Sequence, residues 1–271
     1  MRDLIRGILA VYTLIVCLFV YSPIITLMIF SFNKGERMSL PLELFTTKWY
    51  ISAEKDAHGW AIGWIHDSHI IDALFRSIQL AILTMVIVLA LGTAIGLAYR
   101  HNFPGKEVTF NLYLLGLITP GVLLGLGNAF LYNALNIKIS LWTALPVHVI
   151  WSLPWGAVLI RALTDPNLLT YEAAAKTLGA SNISVLRKIT FPLMMPIIMS
   201  MGIFAFTLSW DEVIRTVFVV YPNTLPAEIL GLIQQRTTPK LYALGSSTTI
   251  ISLMLLVIVA AILTKSERKF F

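Results

Sequence analysis

Six stretches of the chain are continuously apolar, at approximately 8–31, 77–99, 109–132, 139–162, 194–219 and 243–264, and polar residues collect between them. Each can cross the roughly 30 Å hydrocarbon core of a bilayer as an α-helix, because about 20 residues suffice for that distance. The pattern predicts an all-α, polytopic membrane protein with six transmembrane helices. Pro120, Pro146 and Pro154 fall inside spans, where each removes a backbone donor. Membrane helices tolerate this when neighbours, hydroxyls or water satisfy the freed carbonyls, so bent helices around a wet cavity are expected. Gly92 with Gly96, and Gly121 with Gly125, have the small-xxx-small spacing that lets helices pack closely in lipid.

Two polar inserts interrupt this pattern at length. The first, 33–76, carries Trp49, Trp60 and Trp64, residues that mark a membrane interface. The second, 165–192, reads DPNLLTYEAAAKTLGASNISVLRKITFP and predicts a helix, a turn and a second short helix. Asp165 can cap a helix beginning at Pro166, Glu172 and Lys176 form an i,i+4 pair, Gly179 supplies a left-handed stop, and Ser181 can cap the next helix. Leu168, Leu169, Ala173 and Leu178 fall roughly along one side of the first helix, and Ala173 to Ala175 let another surface come close. Two readings are open: an amphipathic element lying on lipid headgroups, or a docking element.

Composition rules out a soluble domain. Hydrophobic residues make up 57% of the chain and charged residues 13%, and the mean hydropathy is +0.80. The first span follows Arg2 and Arg6, is long for a signal h-region and lacks a small-residue cleavage site, so it reads as a retained anchor. With both termini placed in the cytoplasm, eleven of the twenty basic residues fall inside: Arg2, Arg6, Arg100, Lys106, Arg161, Lys176, Arg187, Lys188, Lys265, Arg268 and Lys269. The net charge of +6 is then a topology signal, and no basic stripe interleaved with aromatics points to nucleic acid. The single cysteine, Cys17, excludes an internal disulfide and reads as a packing residue.

Charges inside a span are costly, on the order of 2.5–3.5 kcal/mol each near a helix centre, so they face water or one another. The fifth span carries Trp210, Asp211, Glu212 and then Arg215. At helical spacing Arg215 neutralises one acid and leaves the other to receive a cation; alternatively the cluster sits hydrated at the helix end and fixes packing. Trp210, Trp151, Trp155 and Tyr132 can present ring faces to an ammonium group. His148, Asn128 and Asn133 read as interhelical hydrogen-bonding residues. His58, His66 and His69 match no ligand spacing, so no metal site is assigned. There is no P-loop, no Ser-x-x-Lys and no His-Glu-x-x-His, so no catalytic residue is assigned.

Glu172-Ala173-Ala174, Gly179, Ile189 and Pro192 together resemble the EAA signature of permease subunits of bacterial binding-protein-dependent ABC importers. Phe191 stands where that pattern usually has Leu. The run from Phe206 to Glu212, FTLSWDE, is similar to one in the putrescine and spermidine permeases, and so, more weakly, is FTTKWY at 45–50. The resemblance implies a type I (MetI-like) fold with an N-terminal helix and extracytoplasmic segment at 1–75 and a permease core at 76–271. It implies a bacterial inner-membrane subunit working with a second permease, two cytoplasmic ATPase subunits and an extracytoplasmic solute-binding protein. ATP and Mg2+ would be bound by the partner ATPase, with no cofactor in this chain. On the same likeness Glu172, Ala173, Ala174 and Gly179 couple to the ATPase, Trp210, Asp211 and Glu212 line the path, and the substrate is a small organic cation such as putrescine or spermidine. The alternatives are an ABC importer for another small solute, such as an opine, and an ion-coupled secondary transporter using Asp211 and Glu212.

Overall fold

The chain folds into helices because almost every long segment must satisfy its own backbone hydrogen bonds in an apolar surrounding. The computed structural model describes residues 2–35, 41–56, 59–235 and 238–267. Among them are eleven α-helices: α1 (Arg2–Phe30), α2 (Lys48–Ile51), α3 (Ser68–Tyr99), α4 (Lys106–Ile118), α5 (Gly121–Ala134), α6 (Leu141–Leu163), α7 (Leu168–Thr177), α8 (Asn182–Val185), α9 (Phe191–Trp210), α10 (Leu225–Gln235) and α11 (Pro239–Glu267). Four helical runs are long and apolar enough to cross a bilayer, Ile5–Phe30, Ser68–Tyr99, Leu141–Ala162 and Asn182–Trp210, and a bent pair makes five. The sixth apolar stretch, 243–264, lies inside α11.

Two predicted spans take a different form. The expected single helix over 109–132 is broken into α4 and α5, which meet at 99°. Thr119 is extended (φ −63°, ψ 121°) because it precedes Pro120, whose ring excludes the helical region for its neighbour. The expected helix over 194–219 stops at Trp210, and 211–219 is irregular apart from a 3-10 turn at Thr216–Phe218. Here Glu212 turns back on its own backbone and accepts the Arg215 N–H at 2.9 Å, a local bond that replaces a helical one. α6 keeps its course through Pro146 and Pro154.

The chain divides into two compact units, Met1–Asp72 with Gly231–Leu253 and Ala73–Leu230 with Met254–Phe271. In the first, the Trp49 indole N–H donates to the Asn33 carbonyl at 2.8 Å, and Phe32 stacks on Phe45 and Tyr50. Lys240 donates to the Asp67 carboxylate at 2.5 Å, and His69 stacks on Trp60. His58, Arg268 and Lys269 lie outside the described residues. The span window of α1 is unburied, and Cys17 lies exposed on it.

The second unit holds two apolar cores. One gathers Val88, Ile160, Leu168, Met194, Ile197 and Met201; the other gathers Leu80, Tyr132, Leu141, Val147 and Val219. The glycine pairs accept side chains: a Cβ at Gly96 would lie 2.6 Å from Ile160, and one at Gly125 would lie 2.8 Å from the Arg215 carbonyl. Tight packing therefore accounts for both pairs, as their spacing implied.

Candidate functional site

The 165–192 insert begins later and ends differently than its sequence implies. Asp165 accepts the Asn167 N–H at 2.7 Å in a local turn, so α7 starts at Leu168. Gly179 adopts φ +86° with open space around it, so backbone conformation alone selects glycine there. Ser181 accepts the Ser184 N–H at 3.3 Å and starts α8 as expected. α8 is not a separate helix, however: it runs through a π-helical turn, Leu186–Thr190, into α9.

Glu172 forms a different ion pair from the expected i,i+4 contact with Lys176. It lies one turn after the buried Leu168, on the inner face of α7, and is only 4% exposed. Its Oε1 accepts from Arg100, just beyond the end of α3, and from the Thr190 hydroxyl at 2.6 Å. The single carboxylate thus joins α7 to α3 and to the π-helical turn. Opposite this inward face, Ala173, Ala174 and Gly179 are exposed, Leu178 is 88% exposed and Ile183 is 79% exposed. Leu168 is thus buried and Leu178 exposed, so the two do not share one buried stripe.

At the other candidate cluster the break after Trp210 sorts the two acids. Glu212 is buried and pairs with Arg215 at 2.7 Å. Asp211 is exposed and makes no ion pair among the described residues. Arg215 also lies over Trp151 of α6, with Cζ 3.6 Å from the ring centroid. Trp210 is buried, its ring stacked on Phe206. Trp155 packs edge-on against Trp151 and Phe204, and the Tyr132 hydroxyl donates to the Thr143 carbonyl at 2.9 Å. His148 bridges Ser209 (2.7 Å) and Thr216 (2.8 Å), tying α6 to both sides of the break. Asn128 instead bonds within its own helix, to Leu124.

Residues 90–271 match the family of binding-protein-dependent transport system inner membrane components. The chain belongs to that family. The spermidine/putrescine transport system permease protein PotC of Haemophilus influenzae is 30% identical over 260 residues, 94% of this chain and 96% of that protein. Two solved structures share the fold. A chain of a bacterial ABC transporter involved in import of the acidic polysaccharide alginate superposes with a TM-score of 0.63 at 16% identity, covering 98% of this chain and 97% of that one. A chain of the MetNI methionine ABC transporter in an inward-facing form gives 0.61 at 12% identity, covering 73% and 95%.

The protein is thus a multi-pass inner-membrane permease of an ABC importer, not an enzyme, and ATP hydrolysis belongs to a separate subunit. Sequence reading missed three permease residues. Arg100 and Thr190 were invisible as partners of Glu172 because 72 and 18 residues separate them from it. Ile183 had a local signal, an apolar residue two positions after the Ser181 cap.

Proposed function

We propose that this permease imports a polyamine or another small organic cation, and that Asp211 is the carboxylate that meets it. The observation carrying this reading is the division of labour at the α9 terminus. Glu212 is neutralised by Arg215, so one uncompensated carboxylate is left on an exposed position. A cation gains there from Coulomb attraction. The PotC relationship supports the same substrate class. Trp210 and Glu212 act behind Asp211, Trp210 by packing the helix end and Glu212 by shaping the turn. Asp211→Asn, in the assembled importer reconstituted with its binding protein, is expected to lower putrescine uptake about tenfold, the equivalent of one lost charge contact of about 1.4 kcal/mol. Wild-type uptake kinetics in that variant would return Asp211 to a structural role.

The 165–192 element is the proposed seat of the ATPase, with both termini and this loop in the cytoplasm, the N-terminal segment at 1–75 and the permease core at 76–271. A second permease, two ATPase subunits and an extracytoplasmic binding protein complete the working unit. The exposed Ala173, Ala174 and Gly179 let the partner approach, while Leu178 and Ile183 supply apolar contact. Glu172 acts from inside, holding the element to the membrane helices. ATP-driven closure of the partner would then move the two permeases as rigid bodies between inward-open and outward-open states. Leu178→Glu with Ile183→Glu should strip the ATPase from the purified complex, since each change exchanges apolar contact for a desolvated charge. Normal co-purification of the ATPase with that double variant would remove these two residues from the interface.

A further inference from the structure

We propose that Arg215 is a tethered stand-in for the substrate, filling a cation seat that an ammonium group of the transported solute takes in turn. The inference rests on the reading that the solute carries such a group. The seat has a floor, a wall and a gap. Its floor is the face of Trp151, 3.6 Å beneath the guanidinium carbon, and its wall is the Glu212 carboxylate, whose Oε2 receives Nη1 at 2.7 Å. Its gap is Gly121, the first residue of α5 after the break: a Cβ there would lie 3.0 Å from the guanidinium carbon. Both charged side chains are nearly sealed, at 10% and 8% exposure.

The way Arg215 sits explains why an amine could replace it. A guanidinium built into a site for its own sake uses its planar fork on both oxygens of a carboxylate. Here one Glu212 oxygen meets the guanidinium while Oε1 takes the Arg215 backbone N–H, and Nε is buried with no hydrogen-bond partner among the described residues. The seat therefore asks for one N–H donor and one positive charge over an indole face, and a primary ammonium supplies both. Asp211 gives the displaced guanidinium somewhere to go. It lies four residues away, is exposed, and makes no ion pair among the described residues. An ammonium arriving at Asp211 can pass to Glu212 and Trp151 while Arg215 moves to Asp211. The Asp211, Glu212 and Arg215 charges sum to one negative charge, so the incoming cation balances the set and no carboxylate is buried alone during the exchange. At rest the filled seat closes the position to small cations.

The test uses the complete importer in detergent, with thermal unfolding followed by tryptophan fluorescence. In Arg215→Ala, putrescine or propylammonium at about ten times its dissociation constant is expected to raise the midpoint by about 3 °C, with no such rise in the wild type. Adding Glu212→Gln to Arg215→Ala should abolish the response. Arg215→Lys, which tethers an ammonium in the same seat, should hold the midpoint within about 1 °C of wild type, and it decides the matter alone if the alanine variant does not assemble. Stabilisation by guanidinium but by neither amine would overturn the proposal, as would Arg215→Lys melting as low as Arg215→Ala. Propylammonium separates this outcome from the polyamine reading. If wild-type importer fails to take up putrescine while propylammonium still fills the vacated seat, the substrate assignment falls and the exchange stands.

Discussion

Glu172→Lys should reduce coupled uptake by more than a hundredfold while leaving membrane insertion and the ATPase partner's basal hydrolysis intact. The wild-type carboxylate is buried between Arg100 and Thr190, so the new ammonium would face a guanidinium at contact distance with its counter-charge gone. Breaking one partner out of a buried pair costs about 3–5 kcal/mol, and about 3 kcal/mol is already more than a hundredfold in the population of the arrangement it holds. The pair is not sealed on both sides, since the Arg100 side chain is 16% exposed. It joins α7 to α3, and its failure releases the element from the helices it has to move. The charge-swapped double variant, Arg100→Glu with Glu172→Arg, should recover a measurable part of the uptake that each single change loses. Uptake and ATPase assays on the reconstituted importer decide this. Full uptake by Glu172→Lys, or a swap no better than its parents, would remove the pair from the force path.

Gly125→Leu is expected to destabilise the permease by about 3 kcal/mol or more, at the upper end of overpacking effects. Even the Cβ would stand 2.8 Å from the Arg215 carbonyl and 2.7 Å from Phe218, and the carbonyl is backbone that cannot swing aside. α5 would be pushed off the 211–219 turn that carries Glu212 and Arg215. Gly127 offers the internal control, since nothing lies within 4 Å of a Cβ built there. Thermal unfolding of the two leucine variants side by side should show a large drop for position 125 and little change for position 127. Equal midpoints would mean that α5 is free to shift away from the turn.

What could be read in the linear chain was whatever depends on neighbours in sequence. The apolar runs at 8–31, 77–99 and 139–162, the left-handed turn at Gly179 and the Ser181 cap are local decisions, and each takes the expected form. The break at Pro120 was half legible: proline advertises a bend, but its size of 99° depends on how α4 and α5 pack. The helix stop at Trp210 was missed because hydropathy continues past it, whereas the deciding event is a carboxylate bonding the backbone three residues on. The inward turn of Glu172 was missed for a different reason. A charged residue on an amphipathic helix reads as surface, and only Arg100, brought in from 72 residues away, makes burial affordable.

The π-helical turn between α8 and α9 has a further consequence, one of length. A π-helical turn holds about one residue more than an α-helical turn, so deleting one residue from 186–190 would restore a regular ladder while leaving Ser181 and Ile183 nearly unrotated about the axis of α9. Between the glycine turn and the next span, then, the chain holds one spare residue, whose loss its neighbours would feel far less than a second insertion.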